Sequence, residues 1–384
     1  MKPHHHRFGM ATRCVHSGTH LDPSTGGVCS PVFASTAYAF PNPANRNFYP
    51  RYFNTPNQQV VAEKTAALEH GEAALVFGSG MAAISTLLFT SLKPGDHALF
   101  QTDLYGGTFL LVQELARLGI QVSFARTSAE VSAGLRPETR VVYVETPSNP
   151  LLRIIDLEAI SRICRNHGIL SIADNTFATP INQNPLLLGI DVVVHSATKY
   201  LNGHSDLNAG IVVSSSEIIG RIAPYAMNHG GMLDAHACHL LERGMKTLTL
   251  RIRQHNENAA TLARFLTNHA AVASVNYPGL PHHPDHALAS RQMRGFGGML
   301  SFELRDPQRV DSTLAALRLV TPALSLGGVE SLVCIPSRTS HKGLTPAERH
   351  HAGISDGLIR VSAGIEDVED LQADFTRALE ANLK

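Results

Sequence analysis

Three short apolar runs, each ending in a residue able to do chemistry, constrain this chain most. Arg140 to Glu145 reads Arg-Val-Val-Tyr-Val-Glu, Ile169 to Asp174 ends in an acid, and Asp191 to His195 reads Asp-Val-Val-Val-His. Each reads as a buried strand. The helical pattern Leu157 to His167, closed by Gly168, lies between the first two. Upstream, Ala73 to Phe77, His97 to Gln101 and Val122 to Ala125 read as strands. Gln58 to His70, Ser79 to about Thr90 and Thr108 to Leu118 read as helices. Strands alternating with helical patterns of about 10–15 residues predict an α/β fold around a mostly parallel sheet. Ligands of such sheets bind beyond the carboxyl ends of the strands, where Glu145, Asp174 and His195 stand.

The flanks read differently. Gly, Pro, Asn and aromatic residues dominate Asp22 to Asn57, an extended arm without a compact core. Asp234 to about Asn268 reads as one long helical stretch linking two domains. Gly297–Leu304, Asp306–Leu317, Leu319–Leu324, Leu358–Ser362 and Asp367–Leu383 then read as β, α, β, β, α, a smaller α+β domain. The expected division is an arm at 1–55, a large domain at 56–248 and a C-terminal domain at 249–384.

Composition excludes several classes. With 43% hydrophobic residues the chain can bury a core. Its 32 basic residues balance its 32 acidic ones, which argues against nucleic acid or an anionic membrane as partner. No apolar stretch approaches the roughly 18 residues of a membrane span, and no apolar segment follows Met1 to Met10 to make a secretory signal. Five scattered cysteines, Cys14, Cys29, Cys164, Cys238 and Cys334, fit a reduced, cytoplasmic protein. His4, His5 and His6 read as native or appended residues. His282, His283 and His286 read as a polar loop, because no Cys or carboxylate partner has zinc spacing; no metal is expected.

The strongest chemical signal is His195-Ser196-Ala197-Thr198-Lys199-Tyr200, directly after a strand. A partly buried lysine has a lowered pKa, so its neutral amine can bond an aldehyde cofactor. Ser196 and Thr198 could hold that cofactor's phosphate; a surface loop lysine is the ordinary alternative. Asp174, in Asp174-Asn175-Thr176, could pair with a pyridinium nitrogen or simply cap a turn. Gly78-Ser79-Gly80-Met81 sits where a helix N-terminus would meet a phosphate, or is a plain tight turn. Tyr105, before Gly106 and Gly107, could stack on a ring or pack in a core. Tyr49 and Arg51 could clamp a phosphate, and Arg360 a carboxylate.

As an ordered set these motifs resemble the Cys/Met-metabolism family of pyridoxal-phosphate enzymes, which includes cystathionine γ-synthase, cystathionine lyases, methionine γ-lyase and O-acylhomoserine sulfhydrylases. The resemblance runs from about Thr12 to Leu383. Its most specific stretches are Glu145 to Pro150, Asp174 to Thr176, Ser196 to Asp206, Tyr277 to Leu280, Ser325 to Gly328 and Gly353 to Ser362. It implies a fold-type I transferase with a seven-stranded large sheet, and pyridoxal 5'-phosphate as cofactor. Lys199 resembles the Schiff-base lysine and proton shuttle, Tyr105 the stacking tyrosine and acid/base, and Asp174 the pyridine-nitrogen partner. Gly80, Met81, Thr176, Ser196 and Thr198 resemble the other cofactor contacts. Tyr49 and Arg51 match the pair donated from a neighbouring subunit, in a homotetramer with shared sites. Asn149, Ser325 and Arg360 match the substrate-carboxylate side.

The distal positions depart from the cystathionine enzymes. Phe48 replaces an acid before the arm tyrosine, Leu110 an arginine after the stacking tyrosine, and Leu324 a glutamate before Ser325. A distal ammonium and carboxylate would be desolvated there without partners. Methionine γ-lyases share an apolar distal region but place a cysteine where this chain has Gly107. The leading expectation is therefore γ-replacement on an activated homoserine, with a small amino-acid substrate and a small or apolar nucleophile. γ-Elimination and a non-catalytic homologue are the alternatives.

Overall fold

In a computed structural model, residues 8–42, 45–343 and 345–381 are described; His4, His5 and His6 lie outside them. Seven strands make the larger sheet: β1 (Ala73–Phe77), β2 (His97–Gln101), β3 (Gln121–Ala125), β4 (Thr139–Glu145), β5 (Leu170–Asp174), β6 (Val192–Ser196) and β7 (Gly210–Ser214). Their order is β1-β7-β6-β5-β4-β2-β3. The pairs from β3 through β6 are parallel, and β7 runs antiparallel to both β6 and β1. Apolar clusters lie on both faces, which is why β2 and β7 are buried along their whole length.

Local sequence explains the helix boundaries. Ser79 Oγ accepts the Ala82 N–H at 3.0 Å and opens helix Gly80–Ser91. Asp156 caps helix Leu157–His167 in the same way, and Gly168 ends it at φ +65°. Thr55 and Gln58 form a capping box at helix Pro56–Glu69.

Four expectations are corrected. The stretch from Asp234 is two helices, Ala235–Lys246 and Leu248–Thr267. They part at Thr247 because the buried Arg251 guanidinium takes the Gly244 carbonyl at 2.8 Å. The arm is not wholly extended: Met10–His16 is a helix, anchored by the buried Lys64 Nζ donating to the Cys14 carbonyl at 2.8 Å. Leu319–Leu324 supplies only Thr321–Pro322 as strand (β8), since Pro322 lacks a ladder donor. The smaller sheet has five strands, adding β9 (Val272–Asn276), β10 (Leu332–Cys334), β11 (Met299–Leu304) and β12 (Leu358–Ser362), in the order β8-β10-β12-β11-β9. His286 Nδ1 bonds the Pro278 carbonyl at 2.7 Å, so the histidine loop is tied to backbone.

Candidate active site

Register sets the centre of the site. Glu145, last in β4, pairs with Asp174, last in β5, and Asp174 pairs with Val194 of β6. Asp174 Oδ1 accepts the Thr176 N–H at 2.9 Å, and the Tyr143 hydroxyl reaches Oδ2 at 3.4 Å. Burial pushes the Asp174 carboxyl up, opposed by the Thr176 hydrogen bonds and the field of His195. Glu145 Oε2 accepts the Tyr105 backbone N–H at 2.9 Å, and the Gln101 side chain holds its own N–H at 3.0 Å. Burial, then the charge of Asp174, hold Glu145 well above the usual carboxylate range. Two acids so placed resist joint ionisation, and a cation against Asp174 is the natural relief.

Lys199 follows β6 by a turn. Its Nζ donates to Ser325 Oγ at 2.7 Å. Burial, then the Arg360 charge, lower its pKa to about 8. Ser325 holds the left-handed φ of +82°, uncommon for a side chain other than glycine. Arg360, on β12 of the smaller sheet, secures that turn: Nη2 donates to the Ser325 carbonyl at 3.0 Å, while Nη1 donates to Asn149 Oδ1 at 3.1 Å. Arg360 is only 5% exposed. Among the described residues no acid forms an ion pair with it. Such a guanidinium has N–H donors that could meet a carboxylate.

On the other side of Lys199, the Ser196 N–H donates to Thr176 Oγ1 at 2.8 Å and joins the two turns. A Cβ at Gly80 would lie 2.9 Å from Ser196 Cβ. Glycine thus lets the start of helix Gly80–Ser91 close on Ser196, where the first N–H groups of Gly80 and Met81 have no partner within the helix. Thr198 departs from expectation: its hydroxyl accepts the Ala209 N–H at 3.0 Å and donates to the Ala209 carbonyl at 3.2 Å. As placed it steadies the loop, with no proton left for a phosphate. Tyr105 is half exposed, and its ring overhangs Gly107, with Met81 Sδ on the same spot.

The remaining expected residues stand apart from this cluster. Tyr49 and Arg51 are exposed, and Arg51 Nη1 reaches the Met227 carbonyl at 3.4 Å. Phe48 packs on Tyr38, ring centres 5.5 Å apart. Leu110 and Leu324 are exposed. A cavity of about 720 Å³ between Phe109, Phe124 and Ile354 meets the cluster only at Asn149 and behind Tyr105, and Lys199 does not line it. Sequence reasoning set Glu145 at a strand end where ligands bind but gave it no specific role, and gave Tyr143 none. The signal was there for Glu145, an acid ending a strand in register with Asp174; for Tyr143 it was hidden inside an apolar run.

These residues fit pyridoxal phosphate: an amine with lowered pKa, a half-buried acid that a cation would relieve, and a glycine-lined helix start for an anion. The comparisons agree. The model of the family described as Cys/Met metabolism PLP-dependent enzyme matches residues 11–380. A cystathionine γ-lyase of Bacillus subtilis (strain 168) is 45% identical over 96% of this chain and 98% of its own. An L-methionine γ-lyase of Pseudomonas deceptionensis is 42% identical over 99% and 100%. A solved cystathionine γ-synthase from Xanthomonas oryzae pv. oryzae, in complex with aminoacrylate and cysteine, superposes with a TM-score of 0.94 at 39% identity, covering 97% and 98%. The chain is a fold-type I enzyme that uses pyridoxal phosphate, and it belongs to the Cys/Met-metabolism family of PLP-dependent enzymes.

Proposed function

We propose that this enzyme performs γ-replacement on an activated homoserine, such as an O-acyl ester, with a small or apolar nucleophile. The observation that carries the reading is Leu324. It is 68% exposed and directly precedes Ser325, whose hydroxyl meets Lys199. Leu110, 52% exposed on the helix after Tyr105, is a second apolar residue at a position that the family resemblance assigns to the distal end of the substrate. A second amino-acid head, as in cystathionine, would lose water there and gain no counter-charge.

When bound, pyridoxal phosphate supplies a sink for the electrons left on the substrate when a proton leaves its α-carbon. Asp174 holds the ring nitrogen protonated, and Glu145 fixes the backbone of Tyr105 beside it. Gly80, Met81 and Ser196 hold the phosphate. Arg360 and Asn149 orient the substrate carboxylate, which places the α-carbon toward Lys199. The Lys199 amine, on a flexible stem, would take the α-proton, release it again and, neutral once more, reach the β-carbon for the second proton that γ-chemistry needs. Ser325 Oγ accepts from the amine while it waits. Tyr49 and Arg51 of a neighbouring copy complete the phosphate side within a homotetramer, and Phe48 comes with them to the distal end of the substrate.

γ-Elimination is the second reading, supported by the lyase names of two relatives. One feature weighs against a methionine lyase. Gly107 stands where the resemblance places the cysteine of methionine γ-lyases, and a Cβ there would stand 2.6 Å from the half-exposed Tyr105 ring, which would have to shift. A product assay decides. O-Acetyl- or O-succinylhomoserine is supplied with and without sulfide, cysteine or another thiol, with methionine in parallel. A new amino acid formed only with acceptor is the expected result. Release of 2-oxobutyrate and thiol from methionine, with no adduct from the esters, would overturn it.

A further inference from the structure

Glu69 ends helix Pro56–Glu69 and is fully buried. Three donors converge on its carboxylate. His195 Nε2 lies 2.6 Å and Asn175 Nδ2 2.7 Å from Oε1, and Asn184 Nδ2 lies 3.2 Å from Oε2. A carboxylate accepts, so His195 Nε2 donates. The other ring nitrogen, Nδ1, is buried and has no hydrogen-bond partner among the described residues. The bond to Glu69 is therefore the polar tie of that ring.

The position of these donors gives the tie its meaning. Asn175 follows Asp174, and His195 precedes Ser196, four residues before Lys199. Asp174 and Val194 share one face of the sheet by register; His195, one residue on, turns to the other. Glu69 thus binds the two cofactor turns together from the face away from the cofactor, while Ser196 N–H and Thr176 Oγ1 bind them on the near side. Asn175 has no slack, because its amide also exchanges bonds with Gln183: Nδ2 to the Gln183 carbonyl at 2.9 Å, and Oδ1 from Gln183 Nε2 at 3.0 Å. Asn184, in contrast, connects Glu69 to the Leu68 carbonyl and to Arg294 Nη2, away from both turns.

We propose that Glu69 is a positioning residue for the cofactor: through His195 and Asn175 it sets the spacing between Asp174 and the Ser196–Lys199 turn. The proposal rests on the assignment of Asp174 and Lys199 to the cofactor. It gives the buried acid a task beyond stability, since a purely structural anchor has no reason to act on both turns at once.

The test compares holoenzymes of Glu69→Ala, Glu69→Gln and Asn184→Ala. It reads cofactor dissociation, the visible circular dichroism of the bound cofactor, and thermal stability. Glu69→Ala should weaken cofactor retention by about tenfold or more, the scale of a lost buried charge-assisted hydrogen bond, and alter the dichroism. Glu69→Gln, which keeps an acceptor, should restore most of both. Asn184→Ala should lower thermal stability without either change. Wild-type retention and dichroism in Glu69→Ala would overturn the proposal, as would retention falling in step with thermal stability in all three. If Glu69→Ala does not fold, His195→Leu decides: it cuts only the β6 tie, and unchanged dichroism there overturns the proposal. A wild-type protein with no visible cofactor band would refute the Lys199 assignment and this inference with it.

Discussion

The Lys199 amine offers the sharpest test of how the fold prepares the site. An ordinary lysine titrates near 10.5, and burial followed by the Arg360 charge brings this one to about 8. The difference of 10.5 − 8 = 2.5 means roughly 300-fold more neutral amine near neutral pH, at tenfold per unit. Only the neutral amine attacks an aldehyde. Apoenzyme mixed with pyridoxal phosphate in a stopped-flow instrument should therefore gain its visible band at a rate that climbs about tenfold per pH unit, then levels near pH 8. Arg360→Met removes the second cause and leaves the first, so its plateau should move up but stay well below that of a free lysine. The sign is fixed: a nearby cation disfavours the ammonium, and its removal raises the pKa. A wild-type rate still climbing beyond about pH 10 would refute the claim that burial tunes this amine. A plateau unmoved in Arg360→Met would refute the role given to the guanidinium.

Two further outcomes follow from the same geometry. Arg360→Lys keeps a charge but loses the fork that spans Asn149, Ser325 and a substrate carboxylate; steady-state kinetics should show KM raised by roughly tenfold to a hundredfold with a smaller change in kcat. Lys64→Met strips the Cys14 and Val15 carbonyls of their buried donor and should cost about 1–3 kcal/mol in denaturant unfolding. Burial lowers Lys64 to about 8, with Glu242 pulling the other way. The unfolded chain then binds more protons between about pH 8 and 10.5, so this residue makes stability rise with pH across that window, and Lys64→Met should flatten the rise.

Sequence reasoning succeeded where one residue sees a local rule. Apolar runs ending in Glu145, Asp174 and His195 placed the strands, and the structure brings the ends of the first two into register. It failed where distant segments decide. The break at Thr247 depends on a guanidinium reaching back to Gly244. The fully buried β7 pairs antiparallel between β1 and β6, and a five-residue apolar run gives no sign of direction. Thr198 looked like a phosphate donor until Ala209, eleven residues on, was seen to occupy its hydroxyl.

The same distinction explains why the site divides into a legible half and a hidden one. Asp174, Ser196 and Lys199 are read from motifs because the role proposed for each is carried by its own side chain or its immediate neighbours in sequence. Glu69 acts through His195 and Asn175, 126 and 106 residues away in sequence, and a helix-terminal glutamate is ordinarily a solvated one. Only its burial sets it apart. A carboxylate taken fully out of water must be met by donors, and two of the donors here, His195 and Asn175, adjoin the two turns proposed to hold the cofactor. Buried acids with more than one long-range donor are therefore where a positioning role hides from sequence. Arg360 is the complementary case in our proposal: a buried cation with no acid partner among the described residues, whose fork is left for the carboxylate of a substrate.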